Sequence, residues 1–319
     1  MRRRGAGSQT GAVDPLVVAP AFAPVAAAVL PRDVVRVVGP DAVAFLQGQL
    51  SQDVAALPVG AAAWSLLLAP TGKVEAWLRV HRFGVDELLL DVEAGWGPAV
   101  LARLTRFKLR TRAALEEVEG WRLVAVRGPG AAGIDPVEAG GVVRADPGWP
   151  QMAGIDLLGP DAAVPDGVPQ VPAEDYEAAR IACGVPAMGA ELTERTIPAE
   201  AGRWLVDVSV SFTKGCYTGQ ELVARLDARG SNVARRLRHV EVGDGPAPGP
   251  GAVVVVDGVE VGALTSVATR PGGRAIALAY VGRSVVPPAS GVVAWEEREV
   301  PAVVRALPAE LTAASGPGA

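Results

Sequence analysis

The sequence predicts an α+β fold, with a layered α+β region over residues 29–238 followed by a small β-barrel over residues 239–310. Three observations predict it. Strand-like and helix-like segments alternate up to Arg238 with hairpins between them, which favours layered packing over an all-α or all-β chain. After Arg238 the composition shifts to short Val-rich runs punctuated by Gly and Pro, with no helical period, as in a barrel or sandwich. The chain has 319 residues, half of them apolar, enough for about two packed cores.

In chain order, Val34 to Val38 reads as a strand and Gly39-Pro40-Asp41 as a helix start, with a helix from Ala42 to Leu50 turning Phe45 and Leu46 inward. Trp64 to Leu68 and Val74 to His81 are strands joined by the turn Pro70-Thr71-Gly72, and Glu87 to Val92 is again strand-like. Trp96 to Leu109 has helical apolar spacing through Val100, Leu101, Leu104 and Phe107. Trp121 to Val126 is extended, Pro147 to Pro172 is loop-rich, and a helix from Ala173 to Ala182 leads into Gly184-Val185-Pro186. The barrel runs are Val253 to Val256, Val261 to Val267, Ala275 to Val281 and Val292 to Val304.

Residues 1–28 and 311–319 read as flexible tails. Arg2-Arg3-Arg4 ahead of the apolar stretch Val13 to Leu30 mimics a signal peptide, but Asp14, Pro15, Pro20 and Pro24 interrupt any continuous apolar helix. No other stretch is long and uninterrupted enough to span a bilayer, so the expectation is a soluble, cytoplasmic monomer with no membrane contact.

The formal net charge of -5 argues against a general polyanion binder, and no direct DNA binding is expected. The only cysteines, Cys183 and Cys216, and the only histidines, His81 and His239, show no metal-ligand spacing, so no metal or iron–sulfur site is expected. Gly128-Pro129-Gly130-Ala131-Ala132-Gly133 matches a dinucleotide fingerprint, but Asp135-Pro136 would break the helix that fingerprint needs. Pro70-Thr71-Gly72-Lys73 lacks the upstream glycine of a phosphate loop, and no Gly-x-Ser-x-Gly elbow exists.

The segment Phe212 to Arg238 is the most specific. Thr218-x-x-Glu221 reads as a capping box, with Leu222, Val223 and Leu226 continuing a helix. Cys216 precedes that helix by two residues and follows Lys214 by two, and a helix N-terminus and an ammonium both favour thiolate. Gly215 and Gly219 let the backbone turn sharply around the sulfur. Lys214 is one of only three lysines, with Lys73 and Lys108, in a chain whose default cation is Arg; a compact ammonium is therefore selected over a planar fork. Cys216 and Lys214 are the catalytic candidates. Downstream, Arg225, Arg229, Arg235, Arg236 and Arg238 read either as a solvated basic face or as an anion site for a polyglutamyl tail or phosphate.

Lys214-Gly215-Cys216-Tyr217-Thr218-Gly219-Gln220-Glu221, followed by Arg225 and Arg229-Gly230-x-Asn232, resembles the signature of the YgfZ branch of the folate-binding, glycine-cleavage T-protein-like (GcvT-related) family. Gly39-Pro40-Asp41-Ala42, Phe45-Leu46, Gln49, Asp53 and Pro70-Thr71-Gly72-Lys73 resemble its N-terminal pattern. Ala179-Arg180-Ile181 through Gly184-Val185-Pro186, with Pro198-x-Glu200-Ala201, resembles its middle segment. The resemblance implies α+β subdomains around a central cavity with a C-terminal barrel, tetrahydrofolate as ligand, and Tyr176 as a ring near the pterin. It also implies a role with iron–sulfur client or assembly proteins, including those that modify tRNA, with no cluster held by this chain. Two departures stand out. Ala76 occupies the acidic position of true aminomethyltransferases with Glu75 one residue off, and strand alternation would turn Glu75 to the other face; Ala182 replaces the family's usual Glu.

Overall fold

The computed structural model describes residues 19–134, 141–269 and 274–314, so the expected tail segments 1–18 and 315–319 lie outside the described residues. Nine strands build the larger sheet: β1 (Ala26–Val38), β2 (Ala62–Leu68), β3 (Val74–Arg82), β4 (Glu87–Glu93), β5 (Ala114–Val118), β6 (Arg122–Arg127), β7 (Val143–Ala145), β8 (Gly154–Gly159) and β9 (Gln170–Val171). Six more close into a barrel: β10 (Arg235–Val242), β11 (Val253–Val256), β12 (Val259–Thr269), β13 (Ala275–Gly282), β14 (Ala289–Trp295) and β15 (Arg298–Arg305). The α-helices are α1 (Ala42–Gln49), α2 (Gly97–Phe107), α3 (Ala173–Cys183), α4 (Arg203–Ser209), α5 (Gln220–Ala228) and α6 (Pro308–Ala314). The mixed α+β architecture and the closed barrel are those the sequence predicts.

Strand β1 organises the sheet because it changes neighbours along its length. Its first half, Ala26 to Pro31, pairs with β6, and Ala27–Ala28 also pair with β9. Its second half pairs with β4 from Arg32 onward and with β5 from Val34 onward. Pro31 sits at the changeover, where a residue without an N–H does least damage to a ladder. The two half-sheets diverge from that point, and a cavity opens beside it.

Strands β3 and β4 are buried along almost their whole length, so their sequences read as apolar runs instead of an alternation. Three polar residues interrupt those runs: Arg79, His81 and Asp91. Helix α2 is amphipathic as its spacing predicts and buries Val100 and Leu104. In the barrel, β11 alternates cleanly, with Val254 and Val256 facing the inner core and Val253 and Val255 partly open.

The barrel docks through polar contacts. Glu191 accepts from Thr265 Oγ1 (2.5 Å) and Ser266 Oγ (2.7 Å) on β12 and from Arg180 Nη1 (3.1 Å) on α3. His239 Nε2 lies 2.7 Å from the Ile181 carbonyl, so this histidine joins barrel to helix.

Residues 19–28 behave differently from the tail their composition suggested. Ala19 and Phe22 are buried, Pro20–Phe22 forms a single 3-10 turn, and Ala26 already belongs to β1. The prolines that exclude a helix are compatible with an extended entry strand. The glycine-rich decoy forms a 3-10 turn at Pro129–Gly133, where a Cβ on Gly128 would lie 2.1 Å from the Phe22 carbonyl.

Candidate functional site

A buried ion network stitches the two half-sheets together. Asp91 on β4 pairs with Arg32 on β1, accepts from Arg79 Nε (3.1 Å) on β3, and lies 2.6 Å from His81 Nε2. Asp156 on β8 accepts from Arg79 Nη1 (2.8 Å) and from Arg127 Nη1 (2.7 Å) on β6. Burial would raise both carboxyls, but the guanidinium groups outweigh it: Arg32 and Arg79 hold Asp91 well below the usual carboxylate range, and Arg127 and Arg79 lower Asp156. Burial lowers His81 in spite of Asp91, which keeps the ring neutral at pH 7. Arg79 Nη2 and Arg127 Nε have no hydrogen-bond partner among the described residues, and both side chains are about 1% exposed. Unmet buried donors of this kind are costly and therefore uncommon.

Arg127 and Asp156 form part of the wall of a cavity of about 860 Å³. Its aromatic lining is arranged in pairs. Trp64 stacks on Trp77 with centroids 4.2 Å apart, and Trp149 meets Tyr176 at 5.1 Å. Arg79 lies 4.9 Å over the Trp64 ring and Arg127 4.3 Å over Trp149, so each guanidinium backs an aromatic face. Burial pushes the Tyr176 hydroxyl up to about 12, so it stays protonated. Glu93, the β4 register partner of Arg32, lines the same space. Val267, Ala268 and Thr269 close it from the barrel side. The volume falls in the range that envelops a ligand of several rings, and the paired aromatics suit a flat conjugated one.

The signature loop lies elsewhere: neither Lys214 nor Cys216 lines the cavity, whereas Tyr176 does. Lys214 Nζ donates to three backbone carbonyls, those of Gln47 (2.6 Å) in the last turn of α1 and of Leu50 (2.7 Å) and Gln52 (2.8 Å) just beyond it. Burial pulls its ammonium down to about 8, against the attraction of Asp53, so it remains charged at pH 7. The lysine therefore anchors the loop with all three of its donors. Cys216 is exposed and unpaired, while Cys183 is buried on α3 and its thiol is pushed up by burial.

The capping box is not formed. Gly219, not Thr218, is the N-cap of α5, with φ +83°, and no side chain caps the helix. The Thr218 N–H is used by the Gly48 carbonyl (3.1 Å), and the carbonyl Oε1 of Gln220 accepts the Tyr217 N–H (3.2 Å). Tertiary docking of the turn on α1 outcompetes the local cap. A Cβ on Gly219 would lie 2.6 Å from the Ala69 carbonyl, and Gly72 in that same hairpin turn meets Leu222 as closely. Gly215 has open space around it, and Glu221 is exposed.

The downstream arginines divide. Arg235 pairs with Glu200 and stacks 4.4 Å over Tyr280, Arg236 donates to the Ser231 carbonyl, and Arg238 pairs with Glu310. These three are structural and do not form a free anion site. Arg225 and Arg229 are exposed without ion pairs among the described residues, the solvated face of the two readings. Asn232 Oδ1 accepts from Arg283 Nη1 (2.8 Å), tying the signature segment to the barrel.

The β2–β3 register shifts beside Glu75, with Leu67 paired to Ala76 and Leu68 to Val74, while Val74 and Ala76 are buried and Glu75 is only partly so. What removes Glu75 from the cavity is its ion pair with Arg103 Nε at 2.7 Å, and neither Glu75 nor the buried Ala76 lines that space. Ala182, also buried, lies outside the lining as well.

Sequence reasoning missed the three tryptophans and the ion network. The network did leave a signal: Arg79, Asp91, Arg127 and Asp156 are charges embedded in otherwise apolar strands. The two regions meet at a short hydrogen-bond chain. Trp77 Nε1 donates to Ser209 Oγ (2.9 Å), and Ser51, between two of the Lys214 acceptors, donates to the Ser209 carbonyl (2.6 Å).

Comparisons with known proteins agree with this architecture. The GCVT N-terminal domain profile matches residues 32–134. The chain is 31% identical over 300 residues to an aminomethyltransferase of Thermus thermophilus, covering 85% of this chain and 82% of that protein. It is 27% identical over 251 residues to the mitochondrial iron-sulfur cluster assembly factor IBA57 homolog of Neurospora crassa; the match covers 71% of this chain but only 57% of that protein's length. Among solved structures, the glycine cleavage system aminomethyltransferase T of Bartonella henselae superposes with a TM-score of 0.72 at 22% identity, over 92% of this chain and 90% of that one. The fold is thus the GcvT-like one, and the chain belongs to the GcvT-like aminomethyltransferase family. No helix among the described residues is long and apolar enough to cross a membrane, and no group of metal-ligating side chains occurs among them.

Proposed function

We propose that this chain is a cytoplasmic, YgfZ-like factor that binds tetrahydrofolate in its central cavity and supports the assembly or repair of iron–sulfur proteins through Cys216. One observation carries the reading: a loop with the YgfZ-type signature presents an exposed thiol, Cys216, from a backbone pinned by Lys214. The likeness to an iron-sulfur cluster assembly factor supports it, and tRNA-modifying enzymes belong among the candidate clients. The cavity fits tetrahydrofolate by its size, its paired aromatic faces and its unmet hydrogen-bonding groups. The chain's own part there is to exclude water and orient a flat ring between Trp149, Tyr176 and the Trp64–Trp77 pair.

The test is complementation of a bacterial strain lacking its own factor, scored by the activity of iron–sulfur enzymes. The wild-type chain should restore activity and Cys216→Ala should not; full rescue by Cys216→Ala would sink the thiol assignment. The aminomethyltransferase reading draws on the Thermus relative. Against it stand Ala76 in the acidic position and the capture of Glu75 by Arg103. Glycine-dependent methylenetetrahydrofolate formation, assayed with a lipoylated carrier, should show no turnover.

A further inference from the structure

The cavity wall has two poles. One carries Arg127, whose Nε has no hydrogen-bond partner among the described residues. The other is Glu93, at the end of β4 where the half-sheets diverge. The remaining acids of the wall are committed or open to water. Asp156 accepts from two arginines, Glu177 is paired with Arg180, Glu174 is exposed at the start of α3, and Asp175 sits beside it in that first turn, where the helix N-terminus favours a carboxylate. Glu93 is neither. Its Oε1 accepts the Met188 N–H at 3.1 Å, its Oε2 has no partner among the described residues, and no ion pair reaches it. Burial raises its carboxyl above the ordinary value, although Arg32, the Met188 N–H and Arg180 pull the other way. A half-buried carboxylate whose free oxygen faces a cavity is suited to accept from a ligand that fills that cavity.

We infer that Glu93 is the specificity-determining group of the cavity: it accepts the N–H donor edge of a flat heterocycle whose carbonyl edge is met by the arginine pole. The ligand class is a ring with an amidine-like amino edge and a carbonyl, such as a 2-amino-4-oxo-pteridine. This rests on the proposed binding of tetrahydrofolate and assigns the residue that reads it. Tyr176, from the adjoining turn of α3, supplies a face but no choice between heterocycles, since every flat ring stacks. The donor edge makes the choice, because a site built to accept hydrogen bonds rejects an analogue that lacks them.

The experiment is a tryptophan-fluorescence titration of the full chain with tetrahydrofolate and with its analogue bearing methyl in place of the 2-amino group. Wild type and Glu93→Gln are compared, with thermal melts confirming that the variant folds. Charge-assisted hydrogen bonds of this kind correspond to about 10- to 100-fold in affinity. Glu93→Gln should lose that factor for tetrahydrofolate. The analogue should lose a similar factor on wild type and far less on the variant, because the two losses remove one interaction.

A second arm needs no substitution. The ionised carboxylate is the better acceptor, so affinity is full above the raised Glu93 pKa and falls as pH drops through it. Arg32 and Arg180 stay protonated across that window and Tyr176, up at about 12, stays neutral; Glu174, Asp175 and Glu177 also face this wall, and Glu93→Gln carried through the same pH range subtracts whatever they contribute. The analogue keeps the other ring nitrogens and so controls for the ligand's own titration. Equal affinity of wild type and Glu93→Gln for tetrahydrofolate, or the same pH profile for both ligands on wild type, overturns the assignment while leaving folate binding intact. No uptake of tetrahydrofolate by wild type overturns both.

Discussion

The cavity wall and the Cys216 loop use buried cations in opposite ways. In the ion network, Arg79 and Arg127 each pair with aspartate yet keep one nitrogen unmet among the described residues, and Arg127 lines the cavity. In the loop, the three protons of Lys214 go to three converging carbonyls. Unmet donors mark a surface waiting for a ligand; satisfied ones mark scaffold. The difference also accounts for a lysine in a chain that otherwise prefers arginine: three carbonyls around one point suit a compact ammonium and not a planar fork. Lys214 is therefore a positioning residue, and Cys216 is what it positions.

The largest expected effect comes from the wall. Asp156→Ala removes the carboxylate partner of Arg127 and one of the two that hold Arg79, leaving the buried Arg127 guanidinium without a counter-charge. Breaking a buried pair this way costs about 3–5 kcal/mol, read by urea unfolding. A loss under about 1 kcal/mol would mean that the network is not the clamp between the half-sheets, since surface pairs are worth no more than that.

Next is the loop anchor. Lys214→Arg should cost about 1–3 kcal/mol, the penalty for leaving buried carbonyls unsatisfied. It should also speed hydrogen exchange from Ser211 to Gly219 while leaving tetrahydrofolate affinity within about twofold, because the loop does not line the cavity. Lys73→Arg, on an exposed turn, should be neutral. A loss of folate affinity in Lys214→Arg would break the separation of the two regions.

A smaller and separable effect is the pH dependence of stability from His81. Its folded pKa is lowered by burial, so between that value and the unfolded pKa of about 6.5 the unfolded chain binds more protons. Stability therefore rises with pH through this window and is lost as pH falls below about 6.5. His81→Gln keeps an N–H donor beside Asp91 and cannot titrate, so its melting temperature should vary less between pH 7 and pH 5 than that of wild type.

What was legible in the sequence follows from range. Local periodicity revealed α2 and the barrel strands because Val100 and Leu104, or Val254 and Val256, bury one face of a single element. The family signature revealed the Cys216 loop. The cavity was not legible beyond Tyr176, because its wall is assembled from β1, β2, β3, β4, β6 and β8, and no spacing links Trp64 to Arg127. Lys214 was singled out correctly as unusual, but its partners lie more than 160 positions away in sequence, so its role as an anchor could not be read locally. The capping box failed for the same reason, since the Thr218 N–H is claimed by Gly48.

That failure gives the smallest effect and a sharp one. A true N-cap threonine replaced by alanine costs about 1 kcal/mol. Here the Thr218 hydroxyl caps nothing, so Thr218→Ala should change stability by less than about 0.5 kcal/mol, as at other uncommitted surface sites. One residue on, Gly219→Ala meets both a left-handed backbone at φ +83° and the Ala69 carbonyl 2.6 Å from the new Cβ, and should cost several times more. Chemical denaturation of the two variants side by side decides whether the turn is held by its local sequence or by docking on α1 and the Ala69–Gly72 turn. If Thr218→Ala proves the costlier, the cap forms in solution and the loop is more autonomous than its contacts with the first helix imply.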